Sequence, residues 1–284
     1  MSVKGKKIHP FEMILKGLIW LFSILVVVML VGIIGYVFVK GLPFLSWELI
    51  STVPSELKGT FGILPVIINT IYIVVLTLVI ATPIGIGGAI YLNEYAKKGR
   101  LIKIIELTTE VLTGIPSIIY GLFGFVFFGT FLGLGYSILT GVLTLSIMIL
   151  PTIIRTTQEA LKTVPESYKE GALSLGSKKI YIIFTILIPS ALPGIITAVI
   201  LAMGRIVGES AALIFTAGTG LTMVRNIFGH VFTSGASLTV QLYSYAMRGE
   251  DPRISFAIAS ILIIIILILN FLAKFLGRKL NRNK

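Results

Sequence analysis

The sequence predicts an all-α integral membrane protein with six transmembrane helices, and three observations carry that expectation. The chain of 284 residues is 56% hydrophobic and only 13% charged, with a mean hydropathy of +1.00; soluble domains carry about 25% charged residues. Its apolar residues come in unbroken runs, not on one face at a time. Residues 17–39 hold no charge, and as a helix they reach about 35 Å, enough to cross a hydrocarbon core of about 30 Å. The basic residues, finally, alternate between loops in a way that assigns each loop a side.

Six apolar segments can be marked, at 17–39, 63–92, 111–133, 135–154, 182–218 and 254–276. With the N-terminus inside, so are the 93–110 loop, the 155–181 loop and the tail. Lys4, Lys6, Lys7 and Lys16 precede the first segment; Lys97, Lys98, Arg100 and Lys103 occupy the first inner loop. Arg155, Lys162, Lys169, Lys178 and Lys179 occupy the second, and Lys274, Arg278, Lys279, Arg282 and Lys284 close the chain. Outside lie Lys40, Lys58, Arg225, Arg248 and Arg253. Eighteen basic residues against five place both termini in the cytoplasm. The organisation is then an inner N-terminus (1–16), one six-span unit (17–276) with a cytoplasmic segment at 155–181 and an outer segment at 219–253, and an inner tail (277–284).

This placement makes the net charge of +12 an orientation signal for a lipid bilayer and gives no reason to invoke nucleic acid. The apolar run after Lys7 is too long for a signal peptide and no small-x-small site follows, so it reads as a retained first span. Without cysteine there is no disulfide, thiolate nucleophile or Cys-based metal site. His9 and His230 stand far apart, and no G-x-x-x-x-G-K-[ST] loop occurs. No metal or cofactor is therefore expected on this chain.

Two stretches are more than plain spans. Residues 182–218 would make a straight helix of about 55 Å, and Pro189 and Pro193 remove helical hydrogen bonds, so a kinked element is expected. The 219–253 stretch is rich in Gly, Ser and Thr and suits either an outer binding surface or a lid over the bundle.

Residues 163–189, "TVPESYKEGALSLGSKKIYIIFTILIP", have Thr163 and Glu166 at capping-box spacing and Pro165 in the first turn, with Gly176 as a stop. Tyr168, Ala172 and Leu175 recur at i, i+4, i+7 and give one apolar face. Such a helix can dock in a groove of a soluble partner or lie on lipid headgroups; the pattern leaves both open.

Permeases of ATP-binding-cassette importers carry, in a cytoplasmic loop, Glu-Ala-Ala, three residues, Gly, nine residues, then Ile-x-Leu-Pro. This chain reads Glu170-Gly171-Ala172, then Gly176, then Ile186-Leu187-Ile188-Pro189, so it resembles that family with two departures, Gly171 and Ile188. Four further stretches, 82–96, 114–125, 204–218 and 237–246, resemble the permeases of inorganic-phosphate importers of the PstA type; the PstC type shares some of them. The resemblance implies a type I importer permease fold in which Glu170, Gly171, Ala172, Gly176 and Pro189 belong to the segment that couples to the ATPase. It also implies a PstC-type second permease, a PstB-type ATPase dimer that uses ATP and Mg, and a PstS-type phosphate-binding protein outside. No catalysis is then expected on this chain.

"MGRIVGESAALIFTAG" (203–218) sets Arg205 and Glu209 four residues apart in an apolar run. Each intramembrane charge costs roughly 2.5–3.5 kcal/mol at mid-span, while an i,i+4 pair returns about 0.2–0.5 kcal/mol, and Arg before Glu is the weaker order. Local pairing does not account for them. A guanidinium, always protonated, offers a fork of donors matched to phosphate oxygens, and Glu209 would hold its rotamer and keep the site from trapping the anion. The resemblance assigns this pair to substrate translocation. The alternative is a structural bolt to a neighbouring span. Ser117, Tyr120 and Ser210 are candidates for lining the path, although "GIPSIIYG" reads equally as a packing kink. Beyond a phosphate permease, the sequence admits a permease for sulfate or molybdate and a structural membrane subunit. An intramembrane enzyme using the pair lacks any second acid, His or Cys nearby.

Overall fold

The computed structural model describes residues 10–54, 61–96, 99–224, 226–249 and 251–282, and all regular structure in them is helical. Residues 1–9 of the N-terminal segment, and Lys58, Lys97, Lys98, Arg225 and Lys284 from the orientation count, lie outside the described residues. Five continuous helices among the described residues are long and apolar enough to cross a membrane, and one bent pair makes a sixth crossing if counted as one.

The first, α1 (Pro10–Gly41), is apolar on all sides and keeps its side chains exposed, packing on the last helix of the chain, where Ser260 Oγ donates to the Val37 carbonyl at 3.3 Å. A short helix, α2 (Trp47–Ser51), is capped by Ser46, whose side chain accepts from the Leu49 N–H. Next, α3 (Leu64–Ile90) runs on into a π-helical turn, Tyr91–Tyr95.

The expected straight segment at 111–133 is instead two arms. One is α4 (Arg100–Gly114) and the other α5 (Ser117–Gly124), extended by a π-helical stretch, Phe125–Phe131; they meet at 101°. Pro116 forbids helical geometry to the residue before it, and Ile115 is extended at φ −69°, ψ 129°. Beyond the bend, 117–131 spans only about 22 Å, short of a full crossing. The Tyr120 hydroxyl donates to the Leu112 carbonyl at 2.8 Å and ties the arms together.

Starting at α6 (Ile138–Lys162), the chain crosses back under the Ser137 cap, then forms α7 (Glu166–Ser174). A single continuous helix follows from Lys179 to Gly208, made of α8 (Lys179–Ile182), a π-helical turn (Ile183–Leu187) and α9 (Ile188–Gly208). Neither proline ends it. The wider π turn lies immediately ahead of Pro189, where the missing N–H and the ring need room; the expected kink takes that form there, and the helix itself ends after Gly208, at Glu209–Ser210. Beyond it lie α10 (Ala211–Thr216), α11 (Ile227–His230), α12 (Leu238–Arg248) and α13 (Pro252–Arg282).

The core sits where α3, α6 and α9 meet, with Ile73, Leu145, Met148, Ile149, Ala202 and Ile206 buried together. The 219–253 segment closes the end of the bundle opposite α7. The Ile138 and Leu139 N–H groups, unpaired within α6, donate to the Thr233 and Val231 carbonyls at 2.9 and 2.8 Å. Leu238 N–H donates to Thr70 Oγ1 at 2.8 Å, and His230 Nε2 donates to Asn69 Oδ1 at 2.7 Å. Burial holds the His230 imidazole below its ordinary pKa. The segment is thus a lid, with Phe228 and Met247 exposed on its outer surface.

Close packing fixes α10 against α5: a Cβ on Gly121 would come within 2.8 Å of Ala212 Cα. Because the obstacle is backbone, a Gly121→Val chain is expected to lose about 1–3 kcal/mol, read as a lowered melting temperature of the purified protein in detergent. An unchanged melting curve would contradict this packing.

Candidate functional site

The site assembles around the break after Gly208. Arg205 stands in the last turn of α9, partly exposed, with Nη1 3.5 Å from Thr152 Oγ1 on α6. That contact fixes its place along α6. Thr152 is fourteen residues from the first residue of α6 and ten from its last, or about 21 and 15 Å along the helix, so the guanidinium sits beside the middle of that helix. The contact is long, and among the described residues it is the one hydrogen bond of the side chain, which leaves most of the five N–H donors to another occupant. Thr152, Arg155 and Glu159 recur at i, i+3, i+7 and set one polar face along α6. Towards the α7 end it opens into a cavity of about 270 Å³ lined by Glu106, Glu110, Arg155, Gln158, Glu159 and Lys162.

Glu209 does not hold Arg205, contrary to the expectation from their spacing. Among the described residues no ion pair joins them. The helix ends at Gly208 and Glu209 is extended at φ −81°, ψ 125°, so the i,i+4 geometry that would align the two side chains is lost. Its Oε1 accepts instead from the Ala212 N–H at 3.0 Å, and this satisfies one free donor in the first turn of α10. The Glu209 carbonyl accepts from Thr239 Oγ1 of α12 at 2.8 Å. Three of the stretches singled out in the sequence, those holding Tyr120, Arg205 with Glu209, and Thr239, therefore converge on one break.

The remaining candidates divide. Tyr120 is 5% exposed and its hydroxyl is spent on Leu112, so it braces the bend. Ser117 opens α5 and is partly exposed, while Ser210 sits at the break ahead of α10 without a side-chain cap bond.

At the opposite pole, α7 carries Glu170, Gly171 and Ala172. Glu170 and Gly171 are exposed, and Ala172 packs partly against Leu161, Ile182 and their neighbours. The helix begins after Pro165, with no side-chain cap. Thr163 closes α6 instead, its hydroxyl donating to the Ala160 carbonyl at 2.8 Å, so the anticipated capping box does not form. Gly176, at φ +79°, ends the helix in the left-handed geometry that glycine adopts without penalty. No residue of α7 is buried; Tyr168 and Leu175 are 55% and 88% exposed.

Sequence reasoning passed over Glu94. It lies in the π turn at the end of α3, its side chain 4% exposed, with Oε2 2.6 Å from Lys169 Nζ of α7. Its sequence signal was slight: in "YLNEYA" it is one of three acidic residues, with Glu106 and Glu110, in an inner loop that also holds four basic ones.

Five continuous apolar helices, a bent pair that makes a sixth crossing if counted as one, and the exposed α7 define a multi-pass membrane protein. Residues 81–282 match the binding-protein-dependent transport system inner membrane component family, and the chain belongs to that family: it is a multi-pass membrane permease component and not a catalytic subunit. It is 36% identical over 275 residues to the probable ABC transporter permease protein YqgI of Bacillus subtilis (strain 168), covering 92% of this chain and 93% of that one. It is 33% identical to the phosphate transport system permease protein PstA of Pasteurella multocida (strain Pm70), covering 93% and 90%. In fold it is similar to a chain of the bacterial alginate ABC transporter in complex with alginate pentasaccharide-bound periplasmic protein, with a TM-score of 0.63 at 17% identity over 95% and 94% of the two chains.

If Glu209 acts as a cap, Glu209→Gln, whose amide oxygen still accepts from Ala212, should melt like the unaltered protein. Glu209→Ala should lose about 1 kcal/mol. Equal losses in the two variants, by thermal unfolding in detergent, would speak against capping.

Proposed function

We propose that this chain is the permease subunit of an ATP-driven importer of inorganic phosphate, forming half of the translocation pathway with a PstC-type partner. It works over a PstB-type ATPase dimer, which uses ATP and Mg, and receives phosphate from a PstS-type binding protein. The observation that carries this is Arg205: a permanent cation within an apolar bundle, facing the polar face of α6, with one long hydrogen bond. A dehydrating phosphate needs charge-assisted donors there, and a planar fork supplies them. Relatives named as phosphate permeases, among them PstA of Pasteurella multocida, support the choice of anion. Glu209 contributes to translocation by holding the break that presents Arg205, and its carboxylate keeps the region from being a deep anion trap.

Both termini and α7 face the cytoplasm in this reading, on the strength of the basic-residue bias. The exposed apolar residues of α7 then enter a groove of the ATPase, with Glu170, Gly171 and Ala172 forming its body and Gly176 and Pro189 setting where it stops and where the next span starts. Closure of the ATPase dimer on ATP drives the bundle open to the outside; phosphate passes Arg205 as the bundle returns.

Three outcomes are expected with the four-component complex in proteoliposomes. Arg205→Ala should abolish radiolabelled phosphate uptake while the complex still purifies intact; loss of assembly would instead identify a structural bolt. Unlabelled sulfate should compete poorly, and strong competition would reassign the substrate to another oxyanion. Glu170→Lys should detach or uncouple the ATPase, and normal copurification with normal uptake would count against docking through α7.

A further inference from the structure

The attachment of α7 to the rest of the chain is electrostatic, and it converges on one carboxylate. With no buried residue of its own, α7 touches the core through Ala172 and, just before it, Val164. Glu94 supplies the rest. Its Oε2 meets Lys169 Nζ of α7 at 2.6 Å, the carboxylate 4% and the ammonium 29% exposed. Its Oε1 accepts from Asn93 Nδ2 at 3.0 Å, which orients the carboxylate. Its main-chain carbonyl accepts from Lys179 Nζ, and that ammonium also lies 4.6 Å over the Tyr95 ring. One lysine inside α7 and one just after it are therefore both held by the turn Tyr91–Tyr95.

That turn is the terminus of α3, which packs on α6 and α9 around the buried core beside Arg205. It is π-helical, a geometry that accommodates local change in helix winding more easily than an α-helix does. Two routes thus lead from α7 into the bundle. One is covalent, through α8 into α9. The other crosses space through Glu94 into α3. A force applied to α7 without the second route turns the helix about its ends, at Thr163–Pro165 and Leu175–Lys178, and leaves α3 behind.

We propose that Glu94 is a positioning residue for coupling: its ion pair with Lys169 makes α7 and α3 move together, so that displacement of the docking helix reaches the central helices of the bundle. This rests on the reading of α7 as the ATPase-docking helix. A buried carboxylate that merely secured the fold would affect assembly; one that transmits movement affects the number of phosphates carried per ATP.

The test measures that ratio in proteoliposomes holding the four-component complex, for Glu94→Gln and for Lys169→Met, beside Glu170→Lys on the exposed face. Both link variants are expected to copurify the ATPase and to hydrolyse ATP, while phosphate carried per ATP falls roughly fivefold or more, the lower range of inter-site coupling. An unchanged ratio in either variant overturns the proposal, and so does loss of assembly in both, which would make the contact a plain anchor. Glu170→Lys separates the two readings. If it leaves the ATPase bound and coupled, α7 is not the docking helix; if it detaches the ATPase while the link variants keep a normal ratio, docking stands and Glu94 has no part in transmission.

Discussion

A guanidinium held in an apolar bundle, beside the middle of α6, is the constraint around which this chain is arranged. Cheap neutralisation would come from a carboxylate one turn away, and the sequence has one at that spacing. The structure withholds it. By ending α9 at Gly208 and turning Glu209 into the extended region, the chain directs that carboxylate to the Ala212 N–H and leaves Arg205 with Thr152. Gly121 packing on Ala212 and Thr239 donating to the Glu209 carbonyl hold the break from two further sides. A charge left this short of partners is costly in a bilayer, and in the proposed function a passing anion offsets that cost.

In the proposed function, distance from the energy source is handled by continuity. One helix runs unbroken from Lys179, directly after α7, to Gly208, so Arg205 sits about 39 Å along a rigid element from the segment that follows the docking helix. Pro189 and Pro193 would ordinarily interrupt it, and the π turn Ile183–Leu187 lets the axis carry on. On that proposal substrate contact and drive occupy opposite parts of one helix, joined to α3 and α6 by the buried core and, at the α7 end, by Glu94.

Much of this was legible in the sequence, for reasons of scale. Long charge-free runs have little choice but to span, which is why α1, α3, α6, α9 and α13 lie where the apolar segments do. The exposed α7 followed from its apolar spacing and from Gly176. What escaped notice depended on contacts or on backbone detail. The Gly-Ile-Pro sequence at 114–116 did signal a bend, but apolar residues on both sides made one straight crossing look natural. The i,i+4 spacing of Arg205 and Glu209 suggested a pair because it assumed one helix, and a single non-helical residue removes the pair. Glu94 and Lys169 are separated by most of two crossings, and no local pattern joins them. Thr163 looked like an N-cap but closes the preceding helix, since a hydroxyl serves either end when two helices follow closely.

The central claim is that the Arg205 guanidinium touches the transported anion. Its most direct test is a heteronuclear distance measurement by solid-state NMR, between the phosphorus of phosphate caught in the assembled transporter and the side-chain nitrogens of isotopically labelled arginine, assigned by comparison with Arg205→Lys. A charge-assisted hydrogen bond puts nitrogen and phosphorus about 4 Å apart, and a coupling of that size, absent in the lysine variant, is the expected result. Phosphate bound in the bundle with no such coupling would contradict the account.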